Sequence, residues 1–204
     1  MPRPAYSAEE RERIEGDIRD AALRLFRRDG YRAVSLRALA KELGWSAPAL
    51  YRYYSSKDAL LAAIRADGFD EIRDLLAAQR KQVDAPLEAV ARSMKAYVAF
   101  ALEKPALYQL MYELDQGEVA TEAEVAKNRR RAFAEAEGMA RDVLQALERA
   151  GDINEMAHLF WVSAHGLAAL AVANQLDLGK QIDQLIEPVV DVVVRGVALQ
   201  ERGE

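Results

Sequence analysis

Apolar residues return every three or four positions along nearly the whole chain, and strand-period alternation is scarce. That repeat belongs to helices burying one face, so the chain is expected to be all-α. Punctuation agrees with it. Ser7 followed by Glu10 forms a capping box, Ile14, Ile18, Ala22 and Leu25 make one stripe, and Gly30 stops the first helix. Ser35 caps a short second helix carrying Leu36, Leu39, Ala40 and Leu43, which ends at Gly44. Ser46 caps a third with Pro48 in its first turn, and Ser55–Asp58 opens a fourth that runs past Leu76.

The remainder continues in the same manner. Helices are predicted from Asp84–Pro86, from Pro105 to Leu114, up to about Ala150, from an Asp152/Glu155 cap to about Leu176, and from Lys180 to Gln200. That makes about nine helices, with an acidic loop at Gln116–Glu122. The last is the ambiguous one, because Val189, Val190, Val192, Val193 and Val194 surround Pro188 and alone could form a strand. The frame Ile182, Ile186, Val189, Val193, Val197 keeps helical spacing, so a helix kinked or started near Pro188 is expected.

Composition narrows the function classes. The 204 residues are 51% hydrophobic and 30% charged, enough for a real core on a soluble protein. The absence of cysteine excludes disulfides, thiolate nucleophiles and Cys-based zinc sites. The longest small-apolar stretch, Leu167–Ala173, is far short of the roughly 20 residues that span a bilayer. With no signal-peptide core, a cytoplasmic protein with no membrane contact is expected. The net charge of −5 is unevenly distributed. Residues 1–60 hold 12 Lys/Arg against 9 Asp/Glu, whereas residues 61–204 hold 16 against 24. Between Arg24 and Lys57 there are eight basic residues and two acids. A basic head on an acidic body suits a nucleic-acid reader, although charge alone equally fits a solvated helical face.

Ser35–Leu61, SLRALAKELGWSAPALYRYYSSKDALL, places two short helices around a tight turn at Gly44-Trp45-Ser46. Leu36, Leu39, Ala40, Leu43, Leu50 and Tyr54 are spaced to pack together, with Leu25 and Phe26 as a third wall. This is a helix-turn-helix arrangement, in which the second helix enters the major groove. Over Ile14–Leu61 the segment resembles the DNA-binding domain of the TetR family of bacterial repressors. Ser35, Ala38-Leu39-Ala40, Leu43-Gly44, Ser46-Ala47-Pro48, Leu50-Tyr51-Arg52-Tyr53-Tyr54 and Lys57 carry the resemblance, with Tyr54 standing where Phe is commoner. It implies a helix-turn-helix domain over 8–55, and a ligand-binding and dimerisation domain over 56–204 linked through helix four.

Roles for the head follow residue by residue. Ser35 and Ser46 stand at helix N-termini, where hydroxyls and free N–H groups suit phosphate oxygens. Arg37, Tyr53 and Lys57 are spaced to straddle the groove and meet phosphates. Ala47, Pro48 and Tyr51 face base edges, and Arg52 reaches a phosphate or a guanine. Ser35 and Ser46 are also plain caps, and Tyr51 is open to a half-core role. Because the reading face lacks Asn and Gln, specificity is expected to lean partly on DNA shape and two-fold symmetry.

The rest of the chain resembles the family's C-terminal domain more loosely. Glu103–Tyr112 and the set Trp161, His165 and Gly166 look like a subgroup with a Trp-His-Gly signature. A small-molecule effector is then expected in a helical pocket lined by Tyr97, Phe100, Tyr108, Met111, Tyr112, Phe133, Trp161 and His165, any of which could instead be ordinary core. The basic run Lys127, Arg129, Arg130, Arg131 reads as an anion attractor or as a solvated face. Pairing is expected because one short recognition helix makes too few contacts, so a homodimer should read a palindromic operator in double-stranded DNA. Leu159, Val162, Leu170 and Ala173 with Leu185, Val189, Val193 and Val197 are its candidate four-helix interface. Effector binding would shift helix four and release DNA. The competing reading is a DNA-bound or protein-partner module without a pocket. No cofactor is expected. The Glu155-x-x-His158 step lacks the second such step that a di-metal bundle needs, and no G-x-S-x-G elbow exists, so neither metal nor catalytic residues are assigned.

Overall fold

The computed structural model describes residues 7–112 and 123–199, and the predicted acidic loop at Gln116–Glu122 lies outside them. Among the described residues every regular element is helical: α1 Ala8–Asp29, a short 3-10 turn Tyr31–Ala33, α2 Leu36–Leu43, α3 Ala47–Leu50, α4 Lys57–Lys81, α5 Pro86–Glu103, α6 Pro105–Tyr112, α7 Ala123–Ala146, α8 Ile153–Val172 and α9 Ile182–Leu199. They fall into two compact units, a head up to residue 65 and a body from residue 66.

In the head, α1 packs on α2 and α2 on α3. Ile18, Ala22, Leu25 and Phe26 of α1 are buried, as are Leu36, Leu39, Leu50 and Tyr54. Caps define the elements as the sequence implies. Ser7 accepts from the Glu10 N–H at 3.1 Å, while the Glu10 carboxylate accepts from the Ser7 N–H at 2.9 Å. Ser35 accepts from the Ala38 N–H at 3.1 Å. Gly44 turns the chain with φ 69°, a left-handed conformation that costs most residues about 1 kcal/mol or more.

Two caps differ from expectation. Ser46 holds the N-cap position of α3, yet its side chain makes no capping bond. Pro48 has no N–H to offer, and the Ala49 N–H is taken by the Ser46 carbonyl at 2.9 Å. At α4 the cap is Ser56, which accepts from the Ala59 N–H at 3.0 Å, rather than Ser55.

In the body, α5 packs on α6, α7, α8 and α9, and α8 also packs on α7 and α9. Asp152 caps α8 by accepting from the Asn154 and Glu155 N–H groups at 2.8 and 3.2 Å. α7 stops at Ala146 and α8 at Val172, each about four residues short of expectation; Glu148 and Asn174, just beyond, take positive φ. The valine-rich segment is helical with Pro188 inside α9, because a strand there would have no partner. Two glycines allow close approach. A Cβ at Gly68 of α4 would lie 2.5 Å from Sδ of Met111 in α6, and one at Gly138 of α7 would meet the Arg80 guanidinium at 2.3 Å. That guanidinium is bidentate on Asp142 at 2.6 and 2.9 Å, tying α4 to α7.

Candidate functional site

The head presents its polar face around α3. Leu50 and Tyr54 are buried, whereas Tyr51 is 53% exposed, and Ser46, Pro48 and Arg52 are exposed beside it. Tyr53 leans on Trp45 with ring centroids 6.1 Å apart. Arg37 on α2 is exposed, Ser35 and Ala47 are half-buried. Both acids of the Arg24–Lys57 stretch engage Arg28, Asp29 at 2.9 Å and Glu42 at 3.3 Å, so they neutralise none of the other seven cations. α3 itself is a single turn, shorter than the third helix the sequence implied.

Lys57 has a duty that sequence reasoning missed. Its ammonium donates to the Tyr31 carbonyl at 2.6 Å and lies 3.7 Å from the centre of the Tyr31 ring. Partial burial lowers its pKa, the direction expected when a cation leaves water. The aromatic and lysine positions carry a signal for this contact only once the 3-10 turn is known.

The body holds a cavity of about 380 Å³. Of the eight effector candidates, Tyr97, Tyr112, Phe133 and Trp161 line it. Phe100, Tyr108 and Met111 are buried in the packed core instead, and none of them nor His165 reaches the wall. The closed end comes from α4 and α5, through Phe69, Ile72, Val90, Ser93 and Met94, none of which the sequence singled out as a ligand contact. Exposed Arg129, Arg130, Asn154 and His158 form its outer part.

Tyr97 and Tyr112 of the wall join Tyr108 and His165 behind it in a hydrogen-bonded cluster. The Tyr108 hydroxyl lies 2.7 Å and the Tyr97 hydroxyl 3.1 Å from Nδ1 of His165, and Tyr97 donates to Tyr112 at 3.0 Å. Burial pushes all three tyrosines up, so they stay protonated, and burial pushes His165 down, so it stays neutral. Of the Glu155/His158 pair, His158 Nδ1 donates to the Asn154 carbonyl at 2.8 Å, and no group of three or more potential metal ligands occurs among the described residues.

On the outer face of the body, Leu159, Val162 and Leu170 of α8 are exposed, with Ala173 just past its end. Leu185, Val189 and Val193 of α9 are half-buried. Val197 is a correction: it is only 4% exposed and faces inward, where its carbonyl accepts from Arg149 at 2.7 Å. Val192 is exposed instead. No described helix is long and apolar enough to cross a membrane.

A three-helix head with a turn at Gly44 and an exposed basic, aromatic face, followed by a helical body, is the arrangement of a helix-turn-helix DNA-binding regulator. The comparisons give the particular family. Residues 18–64 match the bacterial regulatory proteins of the tetR family, and residues 87–193 match the tetracyclin repressor-like C-terminal domain. The chain belongs to the TetR family of transcriptional regulators.

Among curated relatives, the HTH-type transcriptional regulator Rv1816 of Mycobacterium tuberculosis is 33% identical over 107 residues, 50% of this chain and 44% of that protein. The chain thus spans less than half the length of that relative. An uncharacterized HTH-type regulator of the same organism, Rv0681, is 28% identical over 78% of this chain and 71% of its own. Among solved structures, a Rhodococcus protein of unknown function shares 25% identity with TM-score 0.79 over 96% and 98% of the two chains. FadR of Bacillus subtilis, solved with stearoyl-CoA, shares the fold at 17% identity and TM-score 0.76, over 89% and 98%.

Proposed function

We propose that this regulator is an effector-responsive repressor that binds a palindromic operator as a homodimer. The observation that carries the DNA reading is Tyr51: a large aromatic held 53% in the open between buried Leu50 and Tyr54 does nothing for the fold. Ala47, Pro48, Tyr51 and Arg52 are assigned to base edges, and Ser35, Arg37, Ser46, Tyr53 and Lys57 to phosphates. The exposed apolar face of α8, with Leu185, Val189 and Val193 of α9, is assigned to dimerisation. We assign the body to the Trp-His-Gly subgroup on the strength of Trp161, His165 and Gly166.

The cavity favours an effector over a module without a pocket. It lies in the usual size range for small-ligand sites, and α4, which supplies Phe69, Ile72 and Leu76 to its wall, is the helix that begins at Lys57. An effector that prefers one position of α4 would shift the population of DNA-competent dimers. That a fold relative was solved with an acyl-CoA ligand is consistent with such a use of the body.

The test is selection of genomic fragments on the purified protein, followed by binding to the recovered site across salt. A two-fold symmetric site bound by a dimer, weakened by Tyr51→Ala and Lys57→Ala, is expected. No enriched site, or binding indifferent to both changes, overturns the assignment.

A further inference from the structure

The cavity wall carries a polarity that constrains its ligand. Acids outnumber bases in the chain, 33 to 28, yet the lining contains Arg129, Arg130 and His158 and no Asp or Glu. Arg130 is shared with Glu137 at 2.9 Å. Arg129 has no carboxylate partner among the described residues, so the outer part of the cavity retains positive charge. Deeper in, Ser93 is 2% exposed and lines the cavity, and its hydroxyl has no hydrogen-bond partner. A buried hydroxyl without a partner is costly, and the free energy is recovered when a ligand supplies one. Tyr112, whose hydroxyl lies 3.0 Å from that of Tyr97, adds a second phenol to the wall. Ser93 stands one helical turn before Tyr97, on the same face of α5. Everything else at the closed end, Phe69, Val90 and Met94 included, is apolar.

We propose that the cavity takes a small organic acid with an apolar body and a second, uncharged oxygen, its carboxylate held at Arg129 and Arg130 and its uncharged oxygen bonded to Ser93 and Tyr112. The assignment rests on the effector reading above and adds the ligand's chemical class. A purely apolar ligand would leave the Ser93 hydroxyl orphaned, and a cation would face two guanidiniums.

The test is calorimetric titration of the full chain, without DNA, using 10-hydroxydecanoate, decanoate and decane-1,10-diol, and in parallel 4-hydroxycinnamate, cinnamate and 4-vinylphenol. The hydroxy acid of at least one series should bind most tightly. Removing its hydroxyl should weaken binding about fivefold, and removing its carboxylate about tenfold, the latter gap narrowing as salt rises. Ser93→Ala should erase the difference between hydroxy acid and simple acid while leaving decanoate or cinnamate unchanged. Arg129→Gln should erase the difference between hydroxy acid and neutral analogue; if that variant does not fold, the salt dependence of the unmodified chain reads the same contact. The proposal is overturned if no probe binds, if the neutral analogues bind as tightly as the acids at low salt, or if Ser93→Ala weakens both acids equally. Because no DNA is present, such a failure removes the ligand class and leaves the operator reading standing. Absence of an operator would remove the regulator reading and leave the titration result intact.

Discussion

The Tyr108 hydroxyl lies 2.7 Å and the Tyr97 hydroxyl 3.1 Å from Nδ1 of His165, so one ring nitrogen faces two buried phenols. Protonating His165 would put a charge between them, in a setting where burial already disfavours it.

Acid should therefore loosen the body. Burial sets the pKa of His165 in the folded chain below its value of about 6.5 in the unfolded one, so the unfolded chain takes the proton first as pH falls. Stability should decline from about pH 7 downward and level off once pH passes the lowered folded value. Urea midpoints at pH 7.5 and 5.5 check this. His165→Gln should show a smaller drop than the unmodified chain, and an equal drop would refute the assignment.

Gly68 and Met111 set the spacing of α4 and α6. Gly68→Ala gains about 1 kcal/mol of helix propensity but forces a methyl to within 2.5 Å of the Met111 sulfur, an overpacking cost of roughly 1–3 kcal/mol. Net destabilisation is expected in denaturant melts. In a Met111→Ala background the same change should cost clearly less, since only Leu107 Cδ1, at 3.1 Å, then crowds the methyl.

Lys57 and Arg37 should separate by where they fail. Arg37→Gln is expected to lower the salt slope of operator binding by about one and leave melting unchanged, since its side chain is exposed. Lys57→Gln should also cost the head about 1 kcal/mol, because the Tyr31 carbonyl loses its 2.6 Å donor. Thermal melts beside gel-shift titrations distinguish the two.

On the outer face, Val162 is 57% exposed and Val197 only 4%. Val162→Glu should leave a folded chain, by circular dichroism, that sediments as a monomer. Val197→Glu should instead disrupt the chain itself, by 3 kcal/mol or more in order of magnitude, because it buries a charge. A dimeric Val162→Glu would move the interface elsewhere.

Helix identity and most boundaries were legible because caps and stops are local. Ser7, Ser35, Gly44 and Asp152 act where a reader of the sequence expects them, and the helical frame of α9 overrode its valines. Ser46 shows the limit. Its role depends on whether the donors of the next turn are free, and Pro48 and Ala49 together remove them. The cavity was half legible: aromatic residues announced it, but Tyr108 and His165 fell behind the wall, since spacing along one helix does not say which neighbour closes over it. Ser93 looked like one more residue between Val90 and Met94. Only the burial of its hydroxyl without a partner sets it apart. Val197 failed for a similar reason, as a repeat of three and four fixes a face but not which side of it meets the chain's own core.

The pairing of α5 with α8 has a consequence for synthesis. In the head, the packing of α1 on α2 and of α2 on α3 closes within the first 65 residues, between helices that neighbour one another in sequence. α5 cannot find its main partner until Val172 has left the ribosome. At bacterial elongation rates that delay is on the order of 5–20 s, long against the microseconds to milliseconds in which local helical packing forms. The head can thus assemble on the nascent chain well before the body does, and the apolar faces of α4 and α5 wait uncovered in between.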